Sequence, residues 1–277
     1  MLELMLVPLV AALVLVGIHA YLGVHVIARG VIFVDLALAQ MAALGYTAAT
    51  LVGVEPGSTA AYAIGVGATL LGALILSLTR FEHEFITQEA LIGILFVTAS
   101  AATILLAAQA PRGAEHVEEL LTGTLLWVTW PDVIRIGAIY LVLGLVYWIL
   151  RRRFLTISLR PAEARTKGWR LGWWDFVFYA LFGVVVTVSV AVAGVLLVFS
   201  FLVMPAVIAF LFTSRTGPLL GIAWASGTAA TVLGLVISFS YDLPTGPVVV
   251  CAFALTVLLA FVVRRTWGGA RGAERAP

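Results

Sequence analysis

Long uninterrupted apolar runs constrain this 277-residue chain more than any other feature of its sequence. A helix of about 20 apolar residues spans the hydrocarbon core of a bilayer, and such runs recur from residue 6 to residue 263. They are continuous and do not alternate with a period of two, which excludes a membrane β-barrel. Only 11% of the residues are charged, against about 25% in a soluble domain. The predicted fold class is all-α, a single polytopic bundle of transmembrane helices over residues 1–277.

The runs predict nine spans, or eight if the short seventh one is broken or re-entrant. They are Leu6–Ala28, Val31–Val52, Thr59–Leu78, Gln88–Ala108, Val133–Leu150, Trp174–Phe199, Phe201–Thr213, Leu219–Phe239 and Val248–Val263. The first is interpreted as a span and not as a signal peptide. With nine crossings, Arg112 and Arg135 alone among the basic residues fall on the outer side. Because basic residues collect in cytoplasmic loops, we expect an inner-membrane protein with its N-terminus outside and its C-terminus in the cytoplasm.

Polar residues interrupt the first two spans between Ile18 and Gly45. They are His19, His25, Asp35 and Gln40. A carboxylate within a spanning helix costs roughly 2.5 to 3.5 kcal/mol on insertion scales, so Asp35 is expected to face protein or water. We interpret these four residues as one wall of a polar transport path. The alternatives are that the histidines and Gln40 only hydrogen-bond neighbouring helices, and that Asp35 pairs with Arg29 or His25.

The longer connections carry most of the remaining charge. The outer one, residues 109–132, contains Glu115, His116, Glu118 and Glu119, which are candidate metal ligands at the outer mouth or simply acidic residues favoured by a helix dipole. The inner loop, about residues 151–173, is basic and holds a short helix-compatible stretch at 161–167. It is suited to docking a cytoplasmic partner or to anchoring on membrane lipid. A polar C-terminal tail is predicted over about residues 264–277.

Six segments in order carry a resemblance to a known family. They are RGVIFVDLALAQMAALG, QEALIGILF, LLTGTLLWVTWPD, PAEARTKG, GVLLVFSFLVMPAVIA and YDLPTGPVVV. Together they resemble the permease subunit of ATP-binding-cassette importers for zinc, manganese or iron. The resemblance implies two permease copies in the membrane, two cytoplasmic ATPase subunits and an extracytoplasmic metal-binding protein. It also implies that PAEARTKG supplies the helix that seats in the ATPase, with Pro161, Ala162, Glu163, Ala164, Arg165, Lys167 and Gly168 as coupling residues.

One position pair departs from the family pattern. Members usually carry an aspartate and, four residues later, a histidine on the second span, and a gap-free alignment places these at Leu36 and Gln40. Asp35 is one residue early, which turns its side chain about 100° around the helix. Gln40 offers an amide oxygen where an imidazole nitrogen is expected, and oxygen donors favour harder cations than zinc. Asp35, His25 and the acidic cluster at 115–119 are therefore the candidate metal ligands.

The sequence lacks the motifs that several competing functions would require. The chain has no GxxxxGK[ST] phosphate-binding loop, so ATP is expected to bind only to a partner subunit. No protease-like spacing of serine, histidine or aspartate occurs, and Cys251 is a lone cysteine, which excludes a cysteine metal cluster. We predict a permease and not an enzyme, with a divalent cation as cargo, no covalent cofactor and no nucleic-acid partner. The alternative is a secondary, proton-coupled cation transporter that works without an ATPase.

Overall fold

The computed structural model describes residues 2–78, 87–109, 123 and 125–273. The regular structure of this part of the chain is helical, which confirms the predicted fold class. The helices are α1 (Leu2–Arg29), α2 (Val34–Leu51), α3 (Thr59–Leu78), α4 (Gln88–Ala107), α5 (Trp130–Leu159), α6 (Pro161–Thr166), α7 (Leu171–Phe212), α8 (Thr216–Tyr241) and α9 (Thr245–Ala273), with a 3₁₀ turn at Leu125–Trp127. Within the described ranges, eight of these helices are long and apolar enough to cross a membrane, and the short α6 is not among them.

Helix boundaries agree with the prediction where the apolar run and the cap coincide. The predicted starts of α3 and α4, Thr59 and Gln88, are confirmed, and Thr87 caps α4 by accepting a hydrogen bond from the backbone N–H of Ala90. The α5 helix is longer than the predicted 133–150, because Thr129 and Asp132 form a capping box at its start. At its other end it continues through the arginine run to Leu159.

Two segments predicted outside the apolar spans contain helix. The inner connection was expected over about residues 151–173; residues 160–170 lie between α5 and α7, and α6 occupies six of them. The polar tail expected from about residue 264 begins within α9, which continues to Ala273. Arginine is a good helix former, so basic residues end the apolar run without ending the helix.

Within α7, Gly194 is the residue at which the helix breaks. Its backbone angles are φ 76° and ψ 161°, whereas the backbone at Met204–Pro205 stays helical. We call the two halves α7a (171–193) and α7b (195–212). Proline inside a helix removes one donor and crowds the carbonyl four residues earlier, but its fixed φ is helical, whereas a glycine at positive φ redirects the chain.

The chain reverses direction at Gly194. At the start of α7a, Asp175 lines a small cavity together with Pro161 of α6. Just after α7b, Thr216 lines another cavity with Lys167, which follows α6. Both ends of α7 therefore lie on the side of α6, while Gly194 lies on the opposite side, against Gly123. Counting α7a and α7b separately, the described helices make nine passes, with the two termini on opposite sides as predicted.

Close helix packing depends on small residues. A Cβ on Gly23 of α1 would lie 1.9 Å from the carbonyl oxygen of Leu202 in α7b, and one on Gly45 of α2 would lie 2.8 Å from Cα of Gly65 in α3. Small residues allow backbones to approach in this way. In lipid, where the hydrophobic effect does not drive helices together, the resulting van der Waals packing does so. The core forms around α7, where Phe178, Phe182 and Phe201 are fully buried.

The reversal at Gly194 yields a stability prediction. We expect Gly194→Ala to lower the free energy of unfolding by about 1–3 kcal/mol, because a Cβ is strained at this φ and ψ. Thermal unfolding of the detergent-purified chain measures the effect. Gly221→Ala is the matched control, since a Cβ there meets nothing within 4 Å. Equal melting temperatures for the two variants would contradict the assignment of the reversal to this residue.

Candidate transport path and coupling helix

Asp35 lies in the first turn of α2 and is only 1% exposed. It faces protein and not acyl chains, as expected. Neither of its carboxylate oxygens has a hydrogen-bond partner in the described part of the chain. The pairing with Arg29 or His25 that the sequence left open is therefore wrong, since Arg29 bonds Asp175 and His25 bonds Ser158. The N-terminal end of the α2 dipole is the favourable element around this carboxylate.

A narrow strip of α2 is left partly open to the outside of the subunit. It contains Leu36, Gln40, Leu44 and Ala48, spaced four residues apart, and Gln40 is 8% exposed. Phe33 at the base of the strip stacks on Phe199 of α7b, with ring centroids 6.5 Å apart. The strip therefore holds both positions, 36 and 40, at which the family carries its aspartate and histidine. Asp35 lies off this strip, as the 100° offset predicts.

His19 belongs to a buried polar chain at the middle of the bundle. Its Nε2 lies 3.2 Å from the Ser189 hydroxyl of α7a, and its Nδ1 lies 2.7 Å from the carbonyl oxygen of Leu15. The Tyr140 hydroxyl of α5 also bonds Ser189. Three helices are thus joined by one polar cluster, which fits the predicted alternative that His19 hydrogen-bonds a neighbouring helix.

His25 belongs to a second cluster near the inner end of α1. Its Nδ1 lies 3.0 Å from the Ser158 hydroxyl of α5, which also accepts a hydrogen bond of 2.8 Å from Nε of Arg29. The Arg29 guanidinium donates to Asp175 of α7a at 2.8 Å and lies 4.0 Å from the Phe178 ring centroid. The buried charge of Arg29 is stabilised by the Asp175 carboxylate, the Ser158 hydroxyl and the Phe178 ring.

The α1–α2 connection is bonded to α4. Glu89 accepts a hydrogen bond of 2.9 Å from the backbone N–H of Ile32, and Gln88 donates one of 3.0 Å to the Tyr179 hydroxyl. The N-cap of α4 is Thr87, so neither of these two side chains is needed to cap the helix. An acidic residue is used here to satisfy a backbone donor that precedes α2.

The predicted metal ligands are not brought together in the described residues. No three histidine, cysteine, aspartate or glutamate side chains in this part of the chain are close enough to hold one ion. Glu115, His116, Glu118 and Glu119 lie outside the described residues. Sequence reasoning missed Ser158, Asp175 and Ser189 as partners of the intramembrane residues. A charged residue at the start of an apolar run, such as Asp175, was the available signal.

The coupling residues form a short, exposed helix. In α6, Ala164 is fully buried, whereas Ala162 and Arg165 face away from the bundle. The Glu163 carboxylate accepts a hydrogen bond of 2.6 Å from Lys167 Nζ, which lowers the pKa of the glutamate. Pro161 occupies the first helical position of α6. Just after the helix, Gly168 has a φ of 69°, and its backbone N–H donates to the carbonyl oxygen of Arg165, which closes the last turn.

Nine passes, a partly open strip on α2 and an exposed inner helix are compatible with a membrane permease. The chain matches the model of the ABC 3 transport family over residues 1–264. It belongs to that family. The predicted resemblance is thereby confirmed.

Relatives and a solved structure agree with this assignment. The chelated iron transport system membrane protein YfeC of Yersinia pestis is 29% identical over 214 residues, which cover 75% of this chain and 72% of YfeC. The manganese import system permease protein ScaB of Streptococcus gordonii is 26% identical over 257 residues, covering 92% and 89%. The structure of PsaBC from Streptococcus pneumoniae in complex with a Fab has the same fold, with TM-score 0.76, 23% identity and coverage of 93% and 91%.

The buried Arg29 yields the second prediction. We expect Arg29→Met to lower the free energy of unfolding by about 3–5 kcal/mol, because it removes the cation from a buried carboxylate. The exposed Arg135 stacks on Tyr62 with 4.0 Å between guanidinium and ring centroid, and Arg135→Met is expected to cost about 1 kcal/mol or less. The melting temperatures of the two variants in detergent measure this difference. A similar melting temperature for both variants would show that the inner cluster is not a stabilising element.

Proposed function

We propose that this chain is the membrane permease of an ATP-driven importer for a divalent transition-metal cation. Family membership supports active transport, and the iron and manganese named for the relatives support the class of cargo. Two copies form the permease, two cytoplasmic ATPase subunits supply the energy, and an extracytoplasmic binding protein delivers the ion. ATP is bound by the ATPases alone.

The geometry of α6 is the observation that carries this proposal. The helix is held to the bundle by the buried Ala164 and presents Ala162 and Arg165 outward. Its first residue, Pro161, lines the same small cavity as Arg29, Ser158 and Asp175. The α6 helix contacts α5, and Arg29 bonds Ser158 of α5 and Asp175 of α7a, so a force applied to α6 passes through α5 to α1 and α7a. This is the arrangement that a separate motor subunit requires to move transmembrane helices.

The α2 strip is the proposed path, sealed by the second permease copy. Gln40 offers an oxygen ligand on this strip, and Asp35 adds negative potential from within the subunit. His19 and His25 stabilise the wall through their bonds to Ser189 and Ser158, and Glu115, His116, Glu118 and Glu119 are assigned to the outer mouth. Oxygen donors suit Mn²⁺ better than Zn²⁺, so manganese is the preferred cargo, with ferrous iron next.

A secondary transporter is the second candidate, favoured by the buried Asp35 carboxylate. Buried carboxylates without hydrogen-bond partners in membranes are typical of proton relays as well as ion paths. The two functions differ in their energy source. Proteoliposomes that contain the chain alone, or the chain with its ATPase, separate them through uptake of ⁵⁴Mn²⁺ with ATP or with a proton gradient.

The third prediction is that uptake requires the ATPase and fails when α6 is obstructed. Ala162→Arg adds bulk to the outward face of α6 without touching the bundle, so its stability should change by less than about 0.5 kcal/mol. We expect ATP-driven uptake to fall at least tenfold, about 1.4 kcal/mol. Thr266→Arg, on the exposed inner end of α9, is the control and should transport normally. Gradient-driven uptake by the chain alone would overturn the proposal.

The fourth prediction concerns the path residues. Asp35→Asn keeps the side-chain volume but removes the charge, and we expect it to lower the rate of ⁵⁴Mn²⁺ uptake at least tenfold, about 1.4 kcal/mol. Asp242→Asn makes the same change of charge at an exposed residue between α8 and α9, where Asn tolerates the left-handed backbone, and should leave the rate unchanged. Wild-type uptake by Asp35→Asn would remove Asp35 from the path.

The cargo preference is tested at the neighbouring position. Gln40→His replaces an amide oxygen by an imidazole nitrogen, which suits zinc. Competition of Zn²⁺ against ⁵⁴Mn²⁺ uptake should therefore become stronger than in the wild-type complex. An unchanged competition curve would place the ion away from Gln40.

A further inference from the structure

An apolar groove runs along the lipid-facing side of the bundle between α1, α5 and α8. It encloses about 540 Å³ and is lined almost wholly by apolar atoms. Three glycines form part of its wall, Gly17, Gly137 and Gly144, and a Cβ on any of them would meet nothing within 4 Å. The open space above these glycines makes the groove deep enough to admit a chain of methylene groups.

At its inner end the groove opens into a basic cavity. The cavity holds about 550 Å³ and shares Leu155 and Thr216 with the groove. Its wall carries four cationic side chains, Arg152, Arg153, Arg160 and Lys167. An apolar channel at membrane depth thus continues into a cationic chamber on the cytoplasmic side.

Polar groups mark the boundary between the two parts. Arg151, Tyr21 and His25 line the inner half of the groove. The Tyr21 hydroxyl and the His25 Nε2 atom have no hydrogen-bond partner in the described part of the chain. Because Ser158 accepts a hydrogen bond from Arg29, its own proton is available to His25 Nδ1, which leaves a proton on Nε2. Both of these atoms are buried beneath the groove wall, so the charged group at the groove itself is the Arg151 guanidinium, which lies 3.8 Å from the Trp148 ring centroid.

The length of the groove fits one leaflet of a bilayer. Gly137 and Arg151 are fourteen residues apart on α5, about 21 Å along a helix, and half of a bilayer with its headgroup region is about 20–22 Å thick. An acyl chain whose headgroup lies at the inner surface would therefore extend along the groove wall. Trp148 and Trp224, 62% and 44% exposed, flank it.

We propose that this groove and cavity form a binding site for an anionic phospholipid of the inner leaflet. The acyl chain occupies the groove beside Gly137 and Gly144, and Arg152 and Arg153 bind the phosphodiester. The basic cavity also includes Arg160 and Lys167, which flank α6. A lipid bound here therefore lies next to the coupling helix. The negative charge of its phosphate acts on Arg160 and Lys167 and so on α6.

The groove is tested by filling it. Gly144→Leu inserts a side chain into open space and favours helix, so it should block the acyl chain without destabilising the protein. Gly137→Leu is a second variant of the same kind. Gly67→Leu is the matched control, because Gly67 is an exposed α3 glycine with equal space for a Cβ. Native mass spectrometry of the full chain, released from nanodiscs of phosphatidylcholine with one fifth phosphatidylglycerol, counts the retained lipids.

The wild type and Gly67→Leu should each retain one phosphatidylglycerol per chain, and both groove variants should lose it. Arg152→Gln with Arg153→Gln should reduce the preference for phosphatidylglycerol over phosphatidylcholine by about fivefold for each charge. Arg264→Gln with Arg265→Gln, which removes two charges from α9 instead, should leave the preference unchanged. Soluble glycerol phosphate should not compete, because it lacks the acyl chain.

Three results would overturn the proposal. One is equal retention of phosphatidylglycerol by Gly144→Leu, Gly137→Leu and the wild type. Another is retention of phosphatidylcholine as strong as that of phosphatidylglycerol. The third is a groove occupied by a second copy of the chain, which would appear as a dimer that both groove variants abolish and added lipid does not affect. None of these readouts depends on the transport activity.

Discussion

The buried guanidinium of Arg29 is the interaction on which the cytoplasmic half of this fold depends. A cation at this depth is stable only when its donors and its charge are matched by protein groups. Ser158 of α5, Asp175 of α7a and the face of Phe178 provide that match. Because Ser158 belongs to α5 and the other two groups belong to α7a, their contacts with Arg29 fix both helices relative to α1. The coupling helix α6 starts only three residues after Ser158 and so takes its position from the same cluster.

This connection determines how a push on α6 is transmitted. The α1 helix is bonded to α5 and α7a twice, at His25 and Arg29 near its inner end and at His19 near its middle. Relative movement of these three helices would break both sets of buried hydrogen bonds, each costing about 1–3 kcal/mol when left unsatisfied. We infer that α1, α5 and α7a move as one body.

Sequence reasoning reached the helices but not the contacts between them. Apolar runs and caps place α3 and α4 because each helix end is a local signal. Gly194 and Pro205 both interrupt the apolar run of α7 in the sequence, and only the structure shows that the break occurs at Gly194, one of 26 glycines in the chain. The partners of His25 and His19 lie 133 and 170 residues away in sequence. Such pairings follow from helix packing, for which a single sequence carries no pattern. Asp35 was correctly expected to avoid lipid, since insertion energy alone requires it.

The position of Asp35 explains how a path can function without the family's aspartate and histidine pair. The carboxylate lies inside the subunit and Gln40 lies on the strip, so the two do not form a single chelating face. In the permease dimer that we propose, a cation on the strip meets an amide oxygen and, from the second copy, its symmetry mate, while Asp35 contributes field and not a bond. Such a site binds a hard cation weakly. Weak binding is an advantage in a conduit, because an ion must be held well enough to enter and loosely enough to leave. Strong selection of the metal then falls to the extracytoplasmic protein that delivers it, and the permease needs only to admit the charge and exclude the wrong size.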